Sequence, residues 1–140
     1  MKLLIFAIFG LLNINDINDI KSYVNNSSQM EFVLAQFSYK QDTSDADEWK
    51  TPQQFIHDKG GDCEDFATIV YEILKTKGYD TVIYSLYADS KAHAICYYSK
   101  GKDTGYFTNN NRIRLNKFNI SKLLKNLEYD RYEIKRKSVI

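Results

Sequence analysis

Apolar residues recur at helical spacing in the first half of the chain and alternate with polar residues in much of the second half. The clearest helical pattern follows Cys63, where apolar residues are spaced by three, one, three and one positions and share one face. We expect Asp62 to cap this helix and Gly78 to end it. The predicted buried face consists of Phe66, Ile69, Val70, Ile73 and Leu74.

Shorter helices are predicted before it. The stretch from Asn13 to Asn26 predicts one, and a second is expected to begin at an N-cap on Ser27 or Ser28 and to run to about residue 39. A third begins with Thr51-Pro52-Gln53-Gln54, which has the pattern of a capping box with proline at the first helical position, and it ends at Gly60-Gly61. The expected core residues of the first two helices are Ile17, Ile20, Val24, Phe32, Leu34, Ala35 and Phe37.

The second half of the chain is rich in β-branched and aromatic residues separated by turn residues. Three strands are predicted at Thr81–Tyr87, Ala92–Tyr98 and Gly105–Thr108. A short helix from Ser121 to Leu127 and a last strand at Glu128–Ile134 follow. Helices followed by an antiparallel meander indicate an α+β fold, with N-terminal helices packed on a small antiparallel sheet.

The composition is that of one globular domain, which we assign to residues 13–140 of the 140. Residues 1–12 differ, because one lysine precedes about ten apolar residues and polarity begins at Asn13. This segment is either an export signal, although it lacks a small-x-small cleavage site, or an N-terminal core element. It is too short for a membrane span, which needs about 20 residues. Export to the periplasm or the medium is slightly favoured over a cytoplasmic location.

Charge is unevenly distributed, although the net charge is only +1. Eight acids and two lysines lie between Asp42 and Asp65, including the loop predicted at 41–48, whereas nine basic residues and three acids lie between Arg112 and Lys137. Solvated faces account for this pattern. No nucleic-acid partner is expected, since no RNA-binding motif, zinc finger or helix-turn-helix accompanies the basic segment.

Cys63 is the main candidate for chemistry. A cysteine on the first turn of a helix lies beside unpaired N–H groups, which stabilise a thiolate and can also bind an oxyanion. However, Asp62, Glu64 and Asp65 are its neighbours, and their charge raises the pKa of a thiol by more than the helix dipole can offset. A cation must therefore compensate: an imidazolium, a metal ion or a lysine.

His93 is the best candidate for that cation and for a general base. It lies in a predicted strand, where it can face the start of the Cys63 helix, whereas His57 is expected at the surface. The alternative is that Cys63 is an ordinary core residue and His93 a packed, hydrogen-bonded one. The second cysteine, Cys96, is expected to be a small core residue, and neither a disulfide nor a zinc site is expected.

Several motifs together resemble the transglutaminase-like superfamily, and most closely its bacterial cysteine peptidases. They are Trp49-x-x-Pro52, the run from Gly61 to Ala67 (Gly-Asp-Cys-Glu-Asp-x-Ala), His93-Ala94, and Gly105 to Asn110. The resemblance extends over about Phe37 to Asn111. It implies a papain-like fold in which the nucleophilic cysteine begins a helix packed against an antiparallel sheet that carries histidine and then aspartate.

The resemblance implies Cys63 as nucleophile and His93 as base. The family's third residue is usually Asp, and the matching position here is Asn109; Asp103 is the nearest acid but lies in a predicted turn. Trp49 either helps to hold an oxyanion or only covers the core. No cofactor is required, although the resemblance implies that calcium can bind at the acids flanking the cysteine, which are Asp62, Glu64 and Asp65.

These residues predict a cysteine-nucleophile hydrolase that acts on an amide or peptide bond of a protein or peptide substrate through an acyl-thioester. An amine-accepting acyl transferase would use the same thioester, and the sequence does not separate the two reactions. The other alternative is a non-catalytic protein-binding module that retains the transglutaminase-like fold. The Asn at the position of the family's Asp slightly favours that alternative.

Overall fold

The computed structural model describes residues 12–41 and 49–138. Most of segment 1–12 and of the loop predicted at 41–48 therefore lies outside the described residues. In chain order the elements are α1 (Ile17–Tyr23), α2 (Ser27–Leu34), β1 (Ser38–Tyr39), α3 (Pro52–Asp58), β2 (Gly60–Gly61), α4 (Cys63–Thr76), β3 (Asp80–Ala88), β4 (Lys91–Lys100), β5 (Asp103–Thr108), β6 (Asn111–Arg114), α5 (Ile120–Leu127) and β7 (Arg131–Lys137).

The main sheet has the strand order β6-β5-β4-β3-β7, and every neighbouring pair in it is antiparallel. The β3–β4 register is unbroken from Asp80 opposite Ser99 to Ala88 opposite Lys91. By contrast, β5 pairs with β4 only from Cys96 onwards. The first half of β4 therefore extends beyond β5 and leaves one of its edges open. The predicted α+β fold class is confirmed.

The sheet separates two apolar layers because alternate residues of β4 face opposite sides. Ala94, Cys96 and Tyr98 are buried in the larger core together with residues of α1 to α4. Ile95 and Leu86, which stands opposite His93 on β3, belong to a smaller core on the other face. There α5 covers the sheet: this helix was predicted, but its packing on the face opposite the N-terminal helices was not.

Helix capping was predicted correctly where the sequence carries a complete capping box. The side chain of Asp62 accepts hydrogen bonds from the N–H groups of Glu64 and Asp65, both at 3.1 Å, and Asp65 accepts from the Asp62 N–H at 3.0 Å. Thr51 and Gln54 cap α3 in the same reciprocal way. Both helices thus begin where the pattern indicated, which fixes Cys63 as the first residue of α4.

Two other caps were predicted wrongly. Asn26 caps α2 and Asn119 caps α5, because the side-chain oxygen of each asparagine accepts a hydrogen bond from the N–H three residues ahead. The N-caps therefore lie one position before Ser27 and two positions before Ser121. Helix α2 also ends at Leu34 instead of continuing to about residue 39, and Ala35, expected in the core, is exposed. Gly78 has a φ of 85° just after α4, as expected of a helix-ending glycine.

Strands β1, β2 and β6 were not predicted, and the last strand is displaced. Ser38–Tyr39 runs parallel to Gly60–Gly61, a pairing of distant residues that no local pattern indicates. The last strand is Arg131–Lys137 and pairs with β3 at the sheet's edge. Within residues 12–41 and 49–138, no helix is both long enough and apolar enough to cross a membrane.

Candidate active site

Cys63 lies where the start of α4 meets the open edge of β4. Its sulfur accepts hydrogen bonds from the backbone N–H groups of Ala94 and Glu64. Ala94 belongs to the part of β4 that β5 does not pair with, so this edge is open to the helix. The sulfur is thereby attached to β4 at the residue next to His93.

The thiol of Cys63 is protonated at neutral pH. Burial and, to a lesser extent, the charges of Asp62 and Glu64 raise its pKa to about 11, against the opposing effect of the N–H groups of Ala94 and Glu64. The effect of the acids was expected from the sequence. The larger effect of burial was not, because it depends on the packing of α4 against the sheet.

His93 lies on β4, as expected, and it is half-buried. It stands opposite Leu86 and alternates with Ala94, so its ring lies on the α5 face of the sheet, whereas Ala94 faces α4. Its Nε2 is 2.7 Å from the Oγ1 of Thr108. Burial lowers the pKa of His93, which keeps the ring neutral at neutral pH. Within the described residues, no hydrogen bond joins this ring to the Cys63 sulfur.

The hydrogen-bond partner of His93 is Thr108, the residue before Asn109, which the sequence indicated for this role. Asn109 directly follows β5 in a left-handed conformation, with a φ of 51°. In the part of the chain that the structure describes, its Oδ1 is buried and has no hydrogen-bond partner. The assignment of Asn109 as the third member of a triad stays a prediction.

Asp103 lies far from His93. It stands opposite Lys100, seven residues along β4, which corresponds to about 23 Å at roughly 3.3 Å per residue. Its carboxylate accepts hydrogen bonds from the Ser27 N–H at 3.1 Å and from the Tyr79 hydroxyl. Asp103 therefore links α2 to the sheet and is not positioned to orient His93.

Trp49 is half-buried and packs against the larger core. The next residue, Lys50, donates its N–H to Asp65 at 2.8 Å and its ammonium to the carbonyl of Gly60 at 3.2 Å. These bonds attach the segment that carries Trp49 to the start of α4. The role of Trp49 in binding an oxyanion stays a prediction.

The acids around Cys63 do not form a complete calcium site in this arrangement. Asp62 and Asp65 already accept backbone N–H bonds, and burial together with the neighbouring Asp65 raises the pKa of Asp62 to about 6. Among the described residues, no three His, Cys, Asp or Glu side chains are grouped so that they could hold a metal ion.

The other cysteine and histidine have the environments expected for them. The side chain of His57 is 85% exposed and pairs with Asp58. Cys96 is completely buried in the larger core, where burial raises the pKa of its thiol. Of the two cysteines and two histidines, Cys63 and His93 therefore remain the candidates for nucleophile and base.

Two tyrosines near Cys63 were missed. Tyr39 is paired with Gly61 through β1 and β2 and is 52% exposed. Burial and then the charge of Cys63 raise the pKa of both Tyr39 and Tyr129. They reach the site from distant parts of the chain, so no local pattern could have indicated them. Thr108 had a weak signal, because it immediately precedes the predicted triad residue Asn109.

A cysteine at the start of a helix, packed against an antiparallel sheet that carries histidine, is the arrangement of the transglutaminase-like fold, and this chain has that fold. Among solved structures it is similar to Legionella pneumophila LapG in a calcium-bound form, with 27% identity and a TM-score of 0.51 over 78% of this chain and 66% of that chain. LapG is a transglutaminase-like cysteine protease, which supports the superfamily resemblance seen in the sequence.

Two further structures of Legionella pneumophila LapG show 20% identity and a TM-score of 0.46. The EGTA-treated one matches over 71% of this chain and 74% of that chain, and the other over 70% and 76%. No protein-family model and no curated protein sequence matches the chain. It spans just under two thirds of the calcium-bound LapG chain, so activity, substrate and partners are matters of proposal.

Proposed function

We propose that this protein is a cysteine-nucleophile hydrolase that cleaves an amide or peptide bond through an acyl-thioester. The carrying observation is the hydrogen bond from the Ala94 N–H to the Cys63 sulfur, which brings the sulfur to the residue next to His93. The similarity to LapG, a cysteine protease, supports a transglutaminase-like peptidase at the level of the superfamily. Its closer relationship to the bacterial peptidases of that superfamily is part of the proposal.

In the proposed reaction, Cys63 gives its proton to His93 as its sulfur attacks the substrate carbonyl carbon. Asp62 already accepts the N–H groups of Glu64 and Asp65, so the backbone N–H of Cys63 and the indole N–H of Trp49 are proposed to stabilise the oxyanion. The C–N bond then breaks, and the proton on His93 passes to the leaving amine. Water attacks the thioester carbon and gives a proton to His93; the C–S bond then breaks, a carboxylic acid leaves, and the proton on His93 returns to the sulfur.

The electrostatics favour general-base activation on substrate binding over a preformed ion pair. The Cys63 thiol is protonated and the His93 ring is neutral at rest, because burial acts on both groups in that direction. A cationic substrate group beside Asp62 and Glu64 would lower the pKa of the thiol by offsetting their charge. We therefore propose a peptide substrate with a basic residue close to the scissile bond.

A non-catalytic binding module is the second candidate. It is favoured by the hydrogen bond of His93 to Thr108 and by the protonated thiol of Cys63, because neither side chain activates the other in this arrangement. Acyl transfer to an amine stays a variant of the enzymatic proposal, since the thioester is common to both reactions. The two candidates differ in whether Cys63 reacts as a nucleophile at all.

The test is incubation of the protein with a mixed peptide library that includes basic residues, followed by mass spectrometry, with and without a small primary amine. We expect hydrolysis products from the native protein and from Cys96→Ala, and none from Cys63→Ser. Amine-linked products instead of acids would replace the hydrolase by an acyl transferase. If the native protein and Cys63→Ser give the same products or none, the enzymatic proposal is wrong.

The proposal also includes calcium binding and export of the protein. One LapG structure is calcium-bound, so we propose that this protein binds calcium as well. Calcium should then raise the thermal midpoint, and EGTA should reverse the change. We also propose that this protein is exported, because one lysine and about ten apolar residues precede Asn13. Detection of the protein in periplasmic or cytoplasmic fractions tests this location.

A further inference from the structure

We propose that Thr108 is the positioning residue of His93: its hydroxyl holds Nε2 and leaves Nδ1 free to take the proton of Cys63. The inference rests on the proposed function, in which His93 is the base. It differs from the assignment made from the sequence, which gave this role to Asn109. Thr108 acts through His93 and is not itself a catalytic residue.

The sheet register explains the contact. Cys96 stands opposite Phe107, so continuing the antiparallel register brings Thr108 beside Ile95, and His93 is two residues further along the same face of β4. Diagonal neighbours of this kind are within reach of a long side chain. The resulting distance from Nε2 to Oγ1 is 2.7 Å, which is a good hydrogen-bond length.

The chemistry of the two groups suits a base that is neutral at rest. A threonine hydroxyl can accept a hydrogen bond from an imidazole N–H, and a neutral ring carries one proton only. When Nε2–H donates to Thr108, the lone pair is on Nδ1, which is where a base needs it. The hydroxyl adds no negative charge, so it orients the ring without favouring the imidazolium as a carboxylate would.

Asn109 lacks the contact that such a role needs. Its backbone is left-handed where β5 ends, and its Oδ1 makes no hydrogen bond to the residues that the structure describes. The strand position of Thr108 is fixed by sheet pairing, whereas Asn109 lies in the turn. A strand residue is the better support for a ring whose orientation must be precise to catalyse.

The test compares Thr108→Val, which keeps the shape and removes the hydroxyl, with Thr108→Ser, which restores it. Thr104→Val is the matched control, because Thr104 makes a cross-strand bond of 2.7 Å to Ser99 at the other end of β5. The primary readout is the tautomer and the pKa of His93 by nitrogen NMR of the substrate-free protein. The second readout is the rate at which iodoacetamide labels Cys63.

We expect the native ring to carry its proton on Nε2, and Thr108→Val to show a mixture of tautomers with labelling slower by about tenfold, the effect of losing one hydrogen bond of about 1.4 kcal/mol. Thr108→Ser and Thr104→Val should resemble the native protein. A native ring protonated on Nδ1, an unchanged tautomer in Thr108→Val, or a change in Asn109→Ala alone would overturn the inference. Because NMR needs no substrate, the result stands apart from whether peptides are cleaved.

Discussion

The backbone N–H of Ala94 donates a hydrogen bond to the sulfur of Cys63, across the gap between the start of α4 and the open edge of β4. This bond brings together two residues that are 31 positions apart in the chain. It exists because β5 pairs with β4 only from Cys96 onwards, which leaves the edge free at Ala94. The N–H of Ala94 at this edge therefore lowers the pKa of Cys63, as does the N–H of Glu64 at the start of the helix.

Cys63 should react with thiol reagents much faster than Cys96. Cys63 is partly exposed, whereas Cys96 is completely buried and needs local unfolding before it can react. Timed labelling with iodoacetamide, followed by peptide mapping, measures both rates. Equal rates would contradict the complete burial of Cys96. A Cys96→Ala protein that loses hydrolysis while remaining folded would show that the nucleophile was misassigned.

Asp62→Asn should lower the pKa of Cys63 and speed its alkylation near neutral pH. Asparagine caps helices about as well as aspartate, so the start of α4 is retained while a charge that raises the thiol pKa is removed. Rates of alkylation measured against pH give the thiol pKa, which is about 11 in the native protein. Asp80→Asn, at the far end of β3, is the control and should leave the pKa unchanged.

The same variant has a predicted effect on stability. The pKa of Asp62 is raised in the folded state from 3.8 to about 6, because burial and the neighbouring Asp65 disfavour its charge. The folded state therefore binds the proton more tightly, and the stability that this proton adds is lost as pH rises from about 4 to about 6. Urea unfolding at pH values on both sides of this window should show the loss in the native protein and a smaller one in Asp62→Asn.

The amino-acid sequence predicted the parts of the fold that depend on local contacts. The cap at Asp62, the buried face of α4 and the three central strands follow from residues close in the chain, and they were right. The pairing of β1 with β2 and the contact of Thr108 with His93 were missed. Both depend on which strands become neighbours and in which register, and spacing along one segment carries no such information.

Gly60→Ala should disrupt the turn that leads into α4. Gly60 has a φ of 148°, and an added Cβ would lie 1.9 Å from the backbone oxygen of Ser38, so strand β1 would have to move. We expect a loss of several kcal/mol in the free energy of unfolding, as for other strained or overpacked sites. Gly101→Ala is the control, since its Cβ would meet nothing within 4 Å and only its φ of 59° is unfavourable, costing about 1 kcal/mol. Equal losses in thermal unfolding would contradict this account of Gly60.

Asp103→Asn should weaken the fold without impairing the site. Burial tends to raise the pKa of Asp103, but the hydrogen bonds from Ser27 and Tyr79 outweigh it and hold the pKa below its ordinary value. Its contribution to stability is therefore present above the unfolded pKa and is lost as pH falls through the lower folded pKa. The substitution should cost about 1–3 kcal/mol of unfolding free energy at neutral pH. Asp130→Asn, an exposed partner of Arg131, should cost much less.

A folded Asp103→Asn protein should keep the native rate of Cys63 alkylation. This follows from the distance between the two residues. His93 lies near the start of β4, whereas Asp103 on β5 pairs with Lys100 at the end of β4. Chemical denaturation gives the stability, and labelling of the folded fraction gives the reactivity. A protein of native stability that has lost Cys63 reactivity would place Asp103 in the site after all.

Asn109→Asp tests the position where the sequence departs from the transglutaminase-like pattern. Asn109 directly follows Thr108, whose hydroxyl is 2.7 Å from Nε2 of His93, so a carboxylate at position 109 should raise the pKa of the ring by favouring its charged form. With thiol and imidazole neutral at rest, the neutral ring is the active base, and the acidic limb of the pH–rate profile should move upward. Aspartate also tolerates the left-handed φ of 51° at this position, so the turn should be retained. Asn110→Asp adds the same charge one residue further along the turn and should move the limb less. If both variants move it equally, the effect is a general one of charge, and Asn109 has no specific role towards His93.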